Sequence, residues 1–216
     1  MRLKIPQLSE ERIREIGDAN GVDQSKAWVL SVRGYYLDSM GKRGANDRRV
    51  YDDASFIVTP DGVSRFQFNT DPNGYRPGFG KGASKGMAML RKGVHRMGEG
   101  YHKGYPAFVQ CEKFTVIRDG TPPYADCGHH YIHLHSGGHY STSSLGCQTV
   151  PRRTWKRYKM VLSNALRRFD NPLQVNSRGV TVPSFDYVLV EEVDLREEKL
   201  VVSKRYLTDQ KDVIAE

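Results

Sequence analysis

Cysteine is scarce in this chain. Three thiols, Cys111, Cys127 and Cys147, are spread over 216 residues. That is too few to staple a chain of this length, so a disulfide scaffold is excluded and the fold must rest on a hydrophobic core. Long apolar runs are also missing. Hydrophobic residues make up 38% of the chain and mean hydropathy is -0.61, and no stretch approaches the roughly 20 apolar residues of a membrane-spanning helix. The opening Met1-Arg2-Leu3-Lys4-Ile5-Pro6-Gln7-Leu8 lacks the apolar run of a signal peptide. The expectation is a protein that is cytoplasmic when synthesised and reaches any substrate beyond the membrane only after release or delivery. Acidic residues are in deficit, 25 against 33 Lys and Arg, for a net charge of +8. Such a surplus attracts polyanions, nucleic acid or an anionic envelope surface, without choosing between them. There is no phosphate-cradling Gly-Lys-Ser/Thr turn, no HExxH, no paired CxxC and no internal repeat.

What is present reads mainly as strands. Ser9 followed by Glu10 and Glu11 starts a short helix over 9–20, with Ile13 and Ile16 as its apolar stripe and Gly21 as its stop. Residues 28–36 and 54–59 read as strands, and Pro60-Asp61-Gly62 turns the latter into a hairpin with 64–68. The basic, glycine-rich stretch from Gly74 to Gly104 reads as a loop wrapped around a site. Residues 109–117, 131–135 and 187–191 read as further strands. Between Arg152 and Phe169 the apolar residues Trp155, Tyr158, Leu162, Ala165, Leu166 and Phe169 recur at helical spacing, opposite a face of Arg and Lys. Regular βαβ alternation is absent, so the fold class is α+β, mainly β. The expected organisation is an N-terminal helical segment over 1–26, a catalytic domain over 27–195 and a charged tail over 196–216.

The chemistry concentrates between Tyr131 and Thr149. In an extended Ile132-His133-Leu134-His135, the imidazoles share one face and the aliphatic side chains the other. Gly137-Gly138 permits a tight turn, and a hydroxyl-rich loop leads to Ser144-Leu145-Gly146-Cys147. A free thiol has a pKa near ~8.5, so it needs a neighbouring base to attack at neutral pH. His135 is the first choice for that base. Gly146 frees the backbone before Cys147 to aim amide donors at an oxyanion.

This segment resembles the catalytic signature of the L,D-transpeptidase (YkuD-type) family, in which a histidine and a glycine-containing loop precede Ser/Thr-x-Gly-Cys. Here those parts are His135, Ser136 to Ser143, and Ser144-Leu145-Gly146-Cys147. The resemblance is closest to a divergent subset of short-loop members, His-x-Gly-Gly…Ser-x-Gly-Cys-Gln-Thr, of the kind in bacteriophage endolysins and murein-degrading proteins. Arg33-Gly34-Tyr35-Tyr36 and Tyr51-Asp52-Asp53 share it less specifically. The resemblance implies a β-sandwich or barrel with a long helix after the cysteine, and a peptidoglycan substrate processed through a Cys147 thioester. It also implies that the Ser136 carbonyl orients His135 and that the amides of Gly146 and Cys147 hold the oxyanion. No cofactor or metal is implied. Gln148-Thr149 departs from the usual family ending, so the arginine that binds a substrate carboxylate has to come from elsewhere, with Arg152 or Arg153 the candidates. His133, Ser144, His102 and Tyr105 complete the expected substrate-binding set.

Other chemistries are carried by the same residues. The run from His129 to His135, with Cys127 or Asp126, offers ligands for a zinc-dependent hydrolase. A non-catalytic protein that binds the envelope or nucleic acid would need only the basic charge. Asp52 and Asp53 are adjacent, which does not give the separation of a glycosidase pair, so they read as a turn or an arginine partner. His139 reads as a loop residue and Cys111 as core.

Overall fold

A computed structural model describes residues 5–36, 40, 45–78, 85–139 and 141–196. The chain runs α1 (Glu10–Ala19), β1 (Trp28–Arg33), β2 (Asp53–Thr59), β3 (Gly62–Phe68), β4 (Ala88–Leu90), β5 (Gly93–His102), β6 (Tyr105–Gln110), β7 (Phe114–Arg118) and β8 (Tyr124–Gly128). It continues through β9 (Leu134–Ser136), β10 (Gln148–Val150), α2 (Arg152–Arg168), β11 (Leu173–Val175), β12 (Thr181–Glu191) and α3 (Glu192–Arg196). The large sheet has the order β10-β9-β6-β5-β12-β1-β2-β3, with β11 paired to β12, and a small sheet has the order β4-β7-β8. Beyond β3, Asn69 exchanges two backbone hydrogen bonds with Thr149 of β10, at 2.9 and 2.8 Å. That exchange brings the two ends of the large sheet together, so the fold is mainly β and nearly closed into a barrel.

Both faces of the sheet are covered, which is why β1 is buried at every position. Val29, Ile57, Phe108, Leu134, Tyr187 and Leu189 pack with Tyr158, Leu162 and Leu166 of α2. Trp28, Leu30, Phe56, Val188 and Val190 pack with Ile13 and Ile16 of α1. The expected N-terminal segment thus shares a core with the strands that follow it. Ser9 caps α1, its side chain accepting from the Arg12 amide. Residues 197–216 of the expected tail lie outside the described residues. No described helix is long and apolar enough to cross a membrane.

The stretch from Gly74 to Gly104 differs from expectation. It contains β4 and the ten-residue β5, paired on one side with β6 and on the other with β12. Within β5, Gly98 and Gly100 are close-packing positions, while residues 79–84 of the expected loop lie outside the described residues. A Cβ on Gly98 would lie 2.8 Å from Cys111 Sγ, and one on Gly100 would lie 2.7 Å from Val109 Cγ2. The strand expected over 109–117 is in fact the end of β6 and most of β7, in different sheets. The strand expected over 131–135 is only the three-residue β9, although Ile132 and Leu134 do enter the core as the alternation required.

His95 of β5 is fully buried, with Nε2 2.9 Å from the Arg91 carbonyl and its ring edge-on to Phe114. Burial pushes its pKa down to about 4. The unfolded chain therefore binds this proton as pH falls below about 6.5, while the folded chain resists until about 4. Its contribution to stability is lost across that window, by about 3 kcal/mol. Replacing it as His95→Gln should remove that part of the acid slope in urea melts between pH 7 and 4. Parallel slopes in the two proteins would show that His95 is not held neutral.

Candidate active site

β9 and β10 run parallel, with Thr149 opposite His135 and Gln148 opposite Leu134. This pairing returns the chain to the histidine strand and places Cys147, just before β10, beside it. Cys147 Sγ accepts from the His133 amide and donates to the Tyr131 carbonyl, both at 3.5 Å. Cys147 and His135 line one cleft of about 420 Å³, together with His102, Lys103, Tyr131 and Arg76.

The turn before the thiol is tied down at every carbonyl. Those of Ser144, Leu145, Gly146 and Cys147 accept from the Asn73 amide, the Ala88 amide, Gln148 Nε2 and Ser144 Oγ respectively. Gly146 has φ +146°, and a Cβ there would press on the Ala88 carbonyl. Only glycine fits the position. The Gly146 amide donates to Ser144 Oγ at 2.9 Å. The first of the two expected oxyanion donors is therefore engaged within the turn, and the buried Ser144 is a brace for the thiol.

His135 is buried, and its Nδ1 lies 2.7 Å from the Ser136 carbonyl, the contact that the family resemblance implied. A carbonyl only accepts, so Nδ1 carries the proton and Nε2 is the basic nitrogen. The Tyr105 hydroxyl is 3.1 Å from the same Nδ1. His102 stacks flat on His135, with ring centroids 4.1 Å apart and planes at 6°. Its Nδ1 is 2.9 Å from that of His133. His133 lies behind His102 and does not line the cleft. Burial first, then the Ser136 bond acting against it and the His102 charge reinforcing it, sets the pKa of His135 at about 4. Burial and the neighbouring imidazoles push His133 to about 3, and burial lifts the Cys147 thiol to about 11. At neutral pH the site holds a neutral thiol beside neutral imidazoles. A nucleophilic role for this thiol would need deprotonation to accompany attack, since neither group is charged at rest.

His102 and Tyr105 face each other across the β5–β6 hairpin, whose turn Lys103-Gly104 has φ of +47° and +86°. Two positive φ values in a two-residue loop match the twist of the strands. That turn delivers His102, Lys103 and Tyr105 to the site as one unit. Of the five non-glycine residues with positive φ among the described residues, Lys103, Tyr131 and Ser143 all line the cleft.

Arg152 and Arg153 do not line the thiol cleft; they border a different pocket with His139. The cations of the cleft are Arg76, Lys85, Lys103 and Arg118. Lys85 and Arg118 share Asp126, at 2.6 and 2.9 Å, whereas Arg76 and Lys103 have no ion-pair partner among the described residues. No local pattern in the sequence marks Arg76, Lys85 or Arg118. Gln148, where the family pattern fails, is buried. Its Oε1 accepts from Tyr187 at 2.8 Å and its Nε2 donates to the Gly146 carbonyl. It supports the thiol turn from beneath.

The more distant candidates have structural partners. Asp53 is buried and accepts from the Gly34 amide and from both donors of Thr70, while Arg33 lies 3.4 Å from Asp71. Tyr51 touches the carbonyls of Gly138 and Ser141, under the loop after His135. The run from His129 to His135 does not gather around a point. His130 bonds to the Asp126 carbonyl, and no group of three His, Cys, Asp or Glu among the described residues is arranged to hold a metal. Cys127 is exposed and Cys111 half-buried.

The chain matches no family model, no curated protein and no solved structure. The site must be read from its own geometry.

Proposed function

We propose that this chain is a cysteine peptidase that cleaves stem-peptide amide bonds of bacterial peptidoglycan, in the manner of a phage-type endolysin, on an L,D-transpeptidase-like barrel. The observation that carries the reading is the convergence of Cys147 and His135 on one cleft, with the Ser136 carbonyl fixing the tautomer of the base. His135 Nε2 takes the thiol proton as Sγ bonds to the scissile carbonyl carbon. The resulting tetrahedral oxyanion is assigned to the Cys147 amide. The intermediate collapses to a thioester as the C–N bond breaks, and His135 returns its proton to the departing amine. Water then cleaves the thioester and regenerates the thiol; an amine of a second stem peptide in place of water gives the L,D-transpeptidase outcome. Arg76 and Lys103 supply positive charge for substrate carboxylates. The protein would meet its substrate after release or delivery to the wall.

Mass spectrometry of purified peptidoglycan treated with wild type or Cys147→Ala tests bond, acceptor and nucleophile together. New muropeptide termini should appear with wild type and be absent with the variant. Full processing by Cys147→Ala would end the proposal. Activity lost only on chelation would move the chemistry to zinc.

A further inference from the structure

α2 carries seven cations, Arg152, Arg153, Lys156, Arg157, Lys159, Arg167 and Arg168, and no acid. At its C-terminal end Arg167 and Arg168 are paired, with Glu99 and Asp61. At its N-terminal end Arg152, Lys156, Arg157 and Lys159 form no ion pair with a described residue, and Arg152, Arg153, Lys156 and Arg157 are exposed. Spacings of three to four residues put these on one stripe. Cations belong at the C-terminus of a helix, because its N-terminus is the positive end of the dipole. The first turn of α2 has two arginines and no acid, so the helix itself supplies no counter-charge at its positive end. The stripe runs into a pocket of about 430 Å³ bordered by Arg49, Arg152, Arg153, Tyr51, Gln67 and Gly138, with no carboxylate among the described residues of its lining. Arg49 Nε is held on the Asn73 carbonyl at 2.8 Å. The pocket reaches Gly138, in the loop that follows the catalytic strand.

From this we infer that the Arg49–Arg152–Arg153 pocket and the outer stripe of α2 dock the phosphodiester backbone of an anionic envelope polymer, holding the enzyme on the wall. Three arginines around one pocket suit phosphate oxygens, which accept the paired donors of a guanidinium. The stripe lacks what other polyanions require. A membrane surface takes an apolar helix face, but Trp155, Tyr158 and Leu162 of α2 pack inward. The exposed large hydrophobics here are Val50 and Met160 alone among the described residues. Single-stranded nucleic acid takes exposed aromatic platforms, and the exposed tyrosines, Tyr75, Tyr101 and Tyr131, do not border this pocket. The choice of a wall polymer among phosphodiester chains rests on the proposed peptidoglycan substrate; the anion site itself does not.

The test is titration of the full chain with purified poly(glycerol phosphate) at several salt concentrations. Wild type should bind, and the triple variant Arg49→Gln/Arg153→Gln/Lys156→Gln should bind about 30-fold more weakly at low salt. The slope of log Kd against log salt should also fall by roughly two, at about 0.7–0.9 per lost phosphate contact. Of the three, Arg153 lies in the first turn, where its loss relieves the helix dipole, while Arg49→Gln gives up the bond to the Asn73 carbonyl, so the variant should melt close to wild type. Its cleavage of a small soluble stem peptide should be unchanged, and Cys147→Ala should bind the polymer normally, so the two proposals fail separately. No binding by wild type, or equal binding by the triple variant, overturns the inference. Tighter binding of duplex DNA, or of vesicles containing phosphatidylglycerol, through the same three residues also overturns it.

Discussion

His135→Ala should lower kcat for peptidoglycan cleavage by about 10²–10⁴-fold, the usual worth of a positioned general base, with little change in KM. The reason lies in the resting state of the pair. Burial lifts the Cys147 thiol to about 11 and depresses His135 to about 4, so neither group is charged at pH 7. In the proposed mechanism His135 is the group that takes the thiol proton as the carbon–sulfur bond forms. His102, stacked behind it in the same cleft, has no Ser136 carbonyl to fix its tautomer. The same values set the pH profile of the wild type. His135 must be neutral to act, so kcat/KM should fall as pH drops through about 4, and the alkaline limb should lie near 11. A wild-type acid limb near 6.5, or a His135→Ala enzyme with undiminished kcat, would remove His135 from the mechanism. Alkylation of Cys147 at pH 7 should be slow for the same reason, measured in a Cys127→Ser background because Cys127 is exposed.

Gly146→Ala should be among the most damaging single changes in the protein, although it adds one methyl group. The backbone there has φ +146°, and the new Cβ would press on the Ala88 carbonyl. The conformation alone costs about 1–3 kcal/mol, and the contact adds to it. Gly62 supplies the control, since its φ is +142° but nothing lies within 4 Å of an added Cβ. Urea melts should show Gly146→Ala less stable than Gly62→Ala by an amount that reports the contact. Because the loop carbonyls of residues 144–147 are all bonded to neighbours, a shift at Gly146 also displaces Cys147, and activity should be lost even under conditions where the variant is folded. Equal destabilisation by the two substitutions would show that Ala88 yields freely.

The sequence by itself determined the parts of this protein that depend on neighbours along the chain. Helical spacing located α2, and the cap at Ser9 located α1, because those patterns recur every three to four residues. The alternation in Ile132-His133-Leu134-His135 placed the aliphatic side chains in the core. The same short segment supplied the thiol, its proposed base and the carbonyl that orients that imidazole. Tertiary structure decided the rest. Glycine was ambiguous along the chain: in β5 it admits a neighbouring strand, whereas at Gly146 it admits a backbone conformation and a close carbonyl. Strand pairing over long separations has no local signature either. Only the pairing of β5 with β6, and of β6 with β9, brings His102 onto His135 and Lys103 to the cleft. Likewise, only the packing of α2 turns Arg152 away from the thiol and into a pocket with Arg49. The residues of the proposed chemistry were legible because they are close in the chain. The charges and rings that surround them became visible only where the sheet closes, since pairing across a sheet is set by the packing of the whole core.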